Sequence, residues 1–255
     1  LRLAERGVHR PVQWELTREQ QFTLVPGRHP FRVEVELGAD ADGVLTAMRL
    51  DVLSDTGAYG NHAIGVLFHG CHESVALYRC ANKRVDAEAV YTHTVPAGAF
   101  RGYGLGQVIF AIESALDDLA REVGLSAAEI RRRNAVVPGD ELVVNGPAVD
   151  DIVHATDGLP QCLDLVEQAL AATEDGPPGP GWLVGEGLAA AMIATIPPRG
   201  HHSTATVTLA EDGSVEVGVG SAEFGNGSAT VHVQLVATAL GGRLDPSRIR
   251  VRGGD

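Results

Sequence analysis

Phe100-Arg-Gly-Tyr-Gly104 is followed over residues 106–123 by an amphipathic pattern, and this stretch decides how the first part of the chain folds. Apolar side chains recur there at helical spacing with charged residues between them, which predicts a helix with one buried face. They are Val108, Ile112, Ala115, Leu116, Leu119 and Val123. Gly124 suits the end of this helix, because glycine adopts left-handed backbone without a steric penalty.

A second glycine-rich stretch, Glu223-Phe-Gly-Asn-Gly-Ser228, also leads into a predicted helix, over residues 228–240. The first turn of a helix leaves amide N–H groups unpaired and carries partial positive charge. Both helix entrances therefore suit a phosphate, a carboxylate or another anion, to which Arg101 adds a permanent charge and Asn226 an amide. Taken alone, each stretch is better explained as a glycine turn that caps a helix. Neither is a P-loop, since no Gly-Lys-Ser/Thr ending follows.

Strands and helices mixed along the chain predict an α+β fold. One β-hairpin is predicted around Asp40-Ala-Asp-Gly43 and a second around Glu211-Asp-Gly213. The predicted strands cover residues 11–16, 31–37, 44–52, 85–91, 185–194, 204–209, 214–220 and 248–252. Further helices are predicted over residues 126–133, capped by Ser126, and over residues 159–172. The basic run at residues 131–133 is expected to be solvated or to face another domain.

The two halves share a plan of β-hairpin followed by helix, which predicts two subdomains. The first is assigned to residues 1–150 and the second to residues 151–255. The connector Glu174-Asp-Gly-Pro-Pro-Gly-Pro-Gly181 either separates them or forms a surface loop within one domain. Because the chain starts at Leu1 without an initiator methionine and stops just after a predicted strand, we expect a fragment of a longer polypeptide.

Composition argues against several functions. The chain of 255 residues is 44% hydrophobic and 21% charged, which is ordinary for a globular protein, and its net charge of −13 disfavours nucleic acid as a partner. Three cysteines stand apart without a Cys-x-x-Cys pair, so we expect neither an iron–sulfur cluster nor a structural zinc on this chain. Their odd number favours a reducing compartment, and we predict the cytoplasm. No apolar run is long enough to predict a membrane span.

Ten histidines raise the question of a metal site. His69 and His72 stand three apart with Cys71 between them, but zinc needs three or four convergent ligands, and no second cluster has suitable spacing. A role for His69 or His72 in lining a substrate funnel is the better hypothesis. Ser114 and Ser228 lack a His–Asp constellation, which disfavours serine nucleophilic catalysis.

Several short stretches resemble, in the same order, those of the molybdenum hydroxylases, the family of xanthine dehydrogenase and aldehyde oxidase. They are Thr17-Arg-Glu19, Asp55-Thr-Gly-Ala-Tyr59, Ala99-Phe-Arg-Gly-Tyr-Gly-Leu-Gly-Gln107, Glu113-Ser114, Arg131-Arg-Arg-Asn134, Asp212-Gly213, Gly225-Asn-Gly227, Gln234 and Gly254-Asp255. The resemblance covers nearly the whole chain. It rests on the ordered set of matches more than on any single motif.

The resemblance implies a fold of the molybdenum-cofactor-binding type and a molybdenum ion held by molybdopterin, in its plain or its cytosine dinucleotide form. It implies hydroxylation of a purine-like N-heterocycle or an aldehyde, with water as the source of oxygen. Electrons would pass to [2Fe-2S] clusters and FAD on other subunits or other parts of the polypeptide. The expected assembly is a homodimer of such a hetero-complex, with a small-molecule substrate and without nucleic acid or membrane.

The resemblance also assigns residues, position by position. The cofactor-binding positions are Phe100, Arg101, Gly102, Gly225, Asn226 and Gly227. Arg101 is expected near the molybdenum without being bonded to it, and Tyr103 and Thr195 match substrate-contacting positions. The family's general base lies beyond residue 255, so no catalytic residue is assigned in this chain. Glu223 is expected to serve the polarity of its helix entrance and not to act as that base.

Three departures from the family pattern argue against xanthine itself as the substrate. Asn226 stands where the family has glutamine, and Ala194 where xanthine-oxidising relatives have phenylalanine. No arginine occurs at residues 69–71, where those relatives have one that grips the substrate. These departures motivate an alternative, a non-catalytic binding or scaffold module of the same fold that has lost the cofactor. A third hypothesis, another anion-binding enzyme such as a transferase, lacks a visible nucleophile or base.

Overall fold

The computed structural model describes residue 7 and residues 13–140, 158–173, 176, 179–193 and 203–253. The chain divides into two compact units, Leu1–Thr195 and Ile196–Asp255. Each unit has a three-stranded sheet with helices packed against it, which confirms the predicted α+β class. The boundary assigned between residues 150 and 151 stays a prediction. Among the described residues, no helix combines the length and the apolar character that a membrane crossing requires.

The sheet of the first unit has the order β1-β2-β3. The elements of this unit are α1 (Arg18–Leu24), β1 (Phe31–Ala39), β2 (Leu45–Gly57), α2 (Ala63–Ala76), β3 (Asn82–Tyr91), α3 (Leu105–Val123), α4 (Ala127–Asn134) and α5 (Leu159–Ala171). The first two strands form the predicted antiparallel hairpin, with Phe31 paired to Ser54. β3 runs parallel to β2, because α2 returns the chain to the other end of the sheet.

Alternation of side chains gives this sheet one buried face and one charged face. Leu50 is fully buried on β2, whereas its neighbour Arg49 is exposed. The apolar stripe of α3 packs on the buried face, and Val108, Ile112 and Leu116 are at most 1% exposed. The predicted amphipathic helix is thus confirmed, and Gly124 ends it in left-handed backbone at φ +71°.

The buried position of Arg131 corrects an expectation from the sequence. The basic run is expected to be solvated or to face another domain, but the Arg131 side chain is 0% exposed and pairs within its own unit. Its Nε donates to Glu113 Oε2 on α3 (2.7 Å), and its Nη1 donates to Asp117 Oδ1 (2.8 Å). Burial lowers the pKa of Arg131, but the neighbouring groups, chiefly the carboxylates of Glu113 and Asp117, together outweigh it and raise the pKa overall. A buried charge is tolerated here because it is paired and hydrogen-bonded.

The Glu113 carboxylate also joins two other parts of the first unit. It accepts hydrogen bonds from the Tyr78 hydroxyl (2.5 Å), just after α2, and from the Ala190 amide (2.7 Å). Burial, together with the negative charge of Glu113, raises the pKa of Tyr78. One carboxylate on α3 therefore fixes α4, the end of α2 and the segment around Ala190.

The second unit repeats the topology of the first. Its elements are β4 (Ala205–Leu209), β5 (Val215–Val219), α6 (Ser228–Ala239), a 3-10 turn (Pro246–Arg248) and β6 (Ile249–Gly253). β4 and β5 form the predicted antiparallel hairpin, and β6 lies parallel to β5 after the crossover through α6. Val215, Val217 and Ile249 form its small core. The shared plan therefore extends to the third strand, and the turns before α2 and α6 hold equivalent positions in the topology.

Two predicted strands are wrong over the residues that the structure describes. Residues 13–16 form no strand but lead into α1, whose first turn is capped by the Thr17 side chain. Residues 185–193 are also without strand pairing. Conversely, the sequence pattern does not predict α2, because this helix buries polar as well as apolar side chains, including Glu73 and Ser74, and so has no apolar stripe. Residues 11, 12 and 194 lie outside the described residues.

Replacing Arg131 with alanine should destabilise the protein by about 3–5 kcal/mol, because it leaves the Glu113 carboxylate buried without its cation. The midpoint of thermal unfolding of the full-length protein measures this loss. Arg121→Ala is the matched control, since Arg121 pairs with Asp118 on the exposed side of α3. Equal midpoints for the two variants would contradict the structural role of the buried pair.

Candidate functional site

The turn before α3 holds three successive residues in left-handed backbone. Gly102, Tyr103 and Gly104 have φ angles of +86°, +36° and +89°. The Tyr103 amide donates to the Phe100 carbonyl (2.7 Å) across the turn. Gly104 is also needed sterically, because a Cβ there would overlap the carbonyl oxygen of Val66 on α2. A left-handed non-glycine residue costs about 1–3 kcal/mol, and such strain clusters at ligand and active sites.

Arg28, in the segment before β1, contacts this turn through hydrogen bonds and a cation–π interaction. Its Nη2 donates to the Arg101 carbonyl (2.6 Å), and its Nη1 donates to Gln107 Oε1 (3.3 Å). Its guanidinium lies 4.4 Å from the centre of the Phe100 ring, a cation–π arrangement. Gln107 in turn donates to the His29 carbonyl (3.0 Å). The turn is thus held in place by side chains distant in sequence.

Arg101 presents a positive charge at this entrance. Its side chain is exposed, and its guanidinium makes no hydrogen bond or ion pair with the residues that the structure describes. The first turn of α3 contains no acidic residue. Phe100 beside it is 50% exposed. An open guanidinium next to the positive end of a helix is suited to an anionic ligand with a planar part.

Two histidines contact Tyr103 and a buried glutamate contacts one of them, and we call these four residues the Tyr103 cluster. His62 Nδ1 lies 2.8 Å from the Tyr103 hydroxyl. The His69 ring meets the Tyr103 ring at 66°, with 5.4 Å between centroids. His69 Nδ1 lies 2.6 Å from Glu73 Oε1, and Glu73 is 5% exposed. A Cβ at Gly65 would stand 2.8 Å from the Tyr103 hydroxyl, so glycine makes room for it.

At the second entrance, the amide groups are already occupied. The Glu223 carboxylate accepts hydrogen bonds from the amides of Gly225 (2.7 Å), Gly227 (3.2 Å) and Ala229 (3.0 Å), and from the Ser228 hydroxyl (3.1 Å). The amides of Ala229 and Gly225 contribute most to lowering the pKa of Glu223 to about 2. This corrects the expectation of unpaired amides here. The assignment of Glu223 to the helix entrance is confirmed.

A ligand at this entrance can still reach the side chain of Asn226. Asn226 Oδ1 accepts from the Ser228 amide (3.2 Å), and the residue is exposed. Gly225 and Gly227 on either side have φ angles of +95° and +76°, which favour glycine. An Asn226 amide N–H₂ group remains able to donate.

The predicted cofactor positions fall on these two turns, three in each unit. Phe100, Arg101 and Gly102 share the turn before α3, and residues 225–227 share the turn before α6. The predicted substrate residue Thr195, and Ala194 beside it, lie outside the described residues. No group of three or more His, Cys, Asp or Glu side chains in the described ranges could hold a metal ion.

Sequence reasoning missed Arg28 and His62. Both contacts join positions far apart in the chain, over 73 residues for Arg28 and 41 for His62. The one local signal for Arg28 is the polar group Arg28-His29-Pro30 directly before a predicted strand. His62 ends the turn before α2 in left-handed backbone at φ +55°. The pair Asn61-His62 does not by itself predict this conformation.

Glu223→Ala should speed amide hydrogen exchange at Gly225, Gly227 and Ala229 about tenfold at neutral pH, since each amide loses an acceptor worth roughly 1–2 kcal/mol. Mass spectrometry of peptides over residues 221–232 of the full-length protein measures it. Glu216→Ala, which changes an exposed side chain on the central strand β5, is the control. Folding lowers the pKa of Glu223 from 4.5 to about 2. The difference in exchange rate between the variant and the wild type should therefore be full above pH 4.5, and it should disappear as the pH falls through about 2. Unchanged exchange at neutral pH would count against the cap.

Comparison with known proteins gives two family matches. Residues 1–135 match a molybdopterin cofactor-binding domain, and residues 162–255 match a second molybdopterin cofactor-binding domain. Together they account for most of the chain and include both glycine-rich turns.

Individual relatives agree with these matches. The chain is 33% identical over 252 residues to the probable hypoxanthine oxidase XdhD of Escherichia coli K12, covering 96% of this chain and 26% of that protein. It is 34% identical over 248 residues to the putative xanthine dehydrogenase molybdenum-binding subunit XdhA of the same organism, covering 94% and 32%. The fold is similar to quinoline 2-oxidoreductase of Pseudomonas putida 86, with a TM-score of 0.72, 24% identity, and coverage of 99% and 34%. The chain thus spans a quarter to a third of these relatives' lengths.

Proposed function

Because the chain belongs to the molybdenum hydroxylase family and matches its molybdopterin cofactor-binding domains, we propose that the full-length protein hydroxylates a planar N-heterocycle or an aldehyde. Water is the source of the oxygen in this reaction. The relatives named for hypoxanthine, xanthine and nicotinate support a heterocycle, and the relative named as an aldehyde oxidoreductase supports an aldehyde. The observation that carries the proposal is the Arg101 guanidinium, exposed and unpaired within the described residues, on a strained turn beside an acid-free helix entrance.

The residues of the first entrance fit a molybdopterin. Its phosphate and dithiolene groups are anionic, which matches the charge of Arg101 and the positive end of α3. The half-exposed Phe100 ring and the Gly102 backbone allow a flat ligand to come close. Residues 225–227 would hold the cofactor through the Asn226 side chain, since their amides are occupied by Glu223. When bound, the cofactor supplies the oxygen-transfer and two-electron chemistry.

The protein's own residues would bind and orient the substrate. Tyr103 offers an aromatic face for a flat ring, and its left-handed backbone fixes where that ring stands. Thr195 is proposed as a second substrate contact. Arg101 would stabilise negative charge close to the metal without being bonded to it. The general base is proposed to come from residues outside this sequence.

Electrons would leave through [2Fe-2S] clusters and FAD carried outside this chain, which contains three separated cysteines and no Cys-x-x-Cys pair. The names of relatives as molybdenum-binding and large molybdopterin subunits support an assembly with other subunits. We propose a homodimer of that hetero-complex in the cytoplasm. We propose molybdopterin, in its plain or its cytosine dinucleotide form, as the cofactor.

One observation favours a second candidate, a binding module of this fold that has lost the cofactor. Glu223 occupies the amides of the second entrance, and Asn226 is one methylene shorter than the glutamine of the family pattern. A module of this kind would bind flat polar ligands yet oxidise neither heterocycles nor aldehydes with any electron acceptor.

Arg101→Ala should lower kcat by roughly 100-fold or more, as does removal of one preorganised charge-stabilising group in other enzymes. Steady-state oxidation of a heterocycle by the full-length assembly measures it, with molybdenum content determined in parallel. Arg101→Lys should recover part of the rate, because it restores the charge without the planar fork.

Arg32→Ala is the matched control for that experiment. Arg32 is exposed and pairs with Glu34 on the charged face of the sheet, so its loss should leave kcat unchanged. A wild-type rate in Arg101→Ala would contradict the placement of Arg101 beside the reacting centre.

A further inference from the structure

The polar side chains of the Tyr103 cluster are oriented by hydrogen bonds to one another. Its outer parts are open, since His62 is exposed and the His69 side chain is 33% exposed, whereas Glu73 behind them is buried. Phe68, which is 58% exposed, meets the His69 ring edge-on at 5.5 Å between centroids. The cluster therefore combines an apolar wall with two imidazoles and a hydroxyl.

Glu73 sets which nitrogen of His69 can accept a hydrogen bond. A carboxylate only accepts, so His69 Nδ1, at 2.6 Å from Glu73 Oε1, carries the proton. In the neutral imidazole this leaves Nε2 as an acceptor. Among the described residues, no hydrogen bond is made by Nε2, which is left for a ligand N–H or O–H.

His62 plays the corresponding part for the hydroxyl of Tyr103. The two atoms lie 2.8 Å apart, and either can donate according to the imidazole tautomer. When His62 donates, the Tyr103 hydroxyl is left to donate to a ligand, and when His62 accepts, the hydroxyl oxygen is left to accept. Gly65 keeps this hydroxyl from being covered, because a Cβ there would crowd it.

We propose that His69 and the Tyr103 hydroxyl determine specificity, favouring a flat heteroaromatic ligand with a donor and an acceptor on its edge over an apolar ring of the same shape. His62 and Glu73 act through these two groups and are positioning residues. The inference rests on the proposed function only in taking Tyr103 as the ring that faces the substrate. A site whose polar groups are matched by a ligand rejects an analogue that leaves them unpaired.

Binding of two probes to the purified full-length protein tests this inference. Benzimidazole carries a ring N–H and an acceptor nitrogen, whereas indene has the same outline without either. Isothermal titration calorimetry gives the Kd of each probe. Dividing the Kd of indene by the Kd of benzimidazole cancels the apolar contribution that the two probes share. The ratio should fall about 3- to 10-fold in Tyr103→Phe and in His69→Leu, which each remove one hydrogen bond.

His72→Leu is the matched control, because His72 stands one turn along α2 and stacks on Phe68 instead of contacting Tyr103. It should keep the wild-type ratio, and His69→Gln should recover part of it. A ratio unchanged in Tyr103→Phe and His69→Leu, or lowered equally in His72→Leu, would overturn the inference. The midpoint of thermal unfolding checks that each variant folds. If His69→Leu does not fold, the ratio measured in Tyr103→Phe alone decides the test. Probe binding needs no chemistry, so failure of the proposed function shows separately, as loss of substrate oxidation.

Discussion

The buried ion pair between Glu113 and Arg131 is the interaction on which the first unit depends. Two charges in the interior cost free energy unless their geometry and remaining hydrogen bonds compensate them. Here the Glu113 carboxylate accepts from Arg131 Nε (2.7 Å), the Tyr78 hydroxyl (2.5 Å) and the Ala190 amide (2.7 Å). Those contacts fix the direction of α3 relative to α2 and α4. The turn that carries Arg101 and Tyr103 leads directly into α3, so its position follows from the same pair.

The two units share one topology but differ in the charge at their helix entrances. Before α3, the guanidinium groups of Arg28 and Arg101 accompany a helix start without acids. Before α6, the Glu223 carboxylate neutralises the helix start by taking three amides. The entrance before α3 is therefore suited to an anionic ligand, whereas the entrance before α6 offers side-chain hydrogen bonding from Asn226. The two glycine-rich turns, which lie at different places in the repeated topology, thus differ in the charge that they present.

The sequence predicts what is local and periodic. Both hairpins, α3 and its end at Gly124 follow from alternation, helical spacing and glycine, and the structure confirms them. The helix α2 could not be predicted in the same way, because it buries Glu73 and Ser74 along with its apolar residues. Nor could the burial of Arg131 or the contacts of Arg28 with the turn, which depend on side-chain partners 14 to 79 residues away. The site residues on each turn are recognisable as motifs, but their polar surroundings come from tertiary contacts.

We propose that the strained, cationic turn before α3 belongs to a site that binds molybdopterin. Elemental analysis for molybdenum and fluorescence of the oxidised pterin, both made on the purified full-length assembly, test it most directly. The account predicts stoichiometric molybdenum and pterin in the wild-type protein, released together on denaturation. A folded assembly that contains neither, after expression in cells that supply the cofactor to other enzymes, would contradict it.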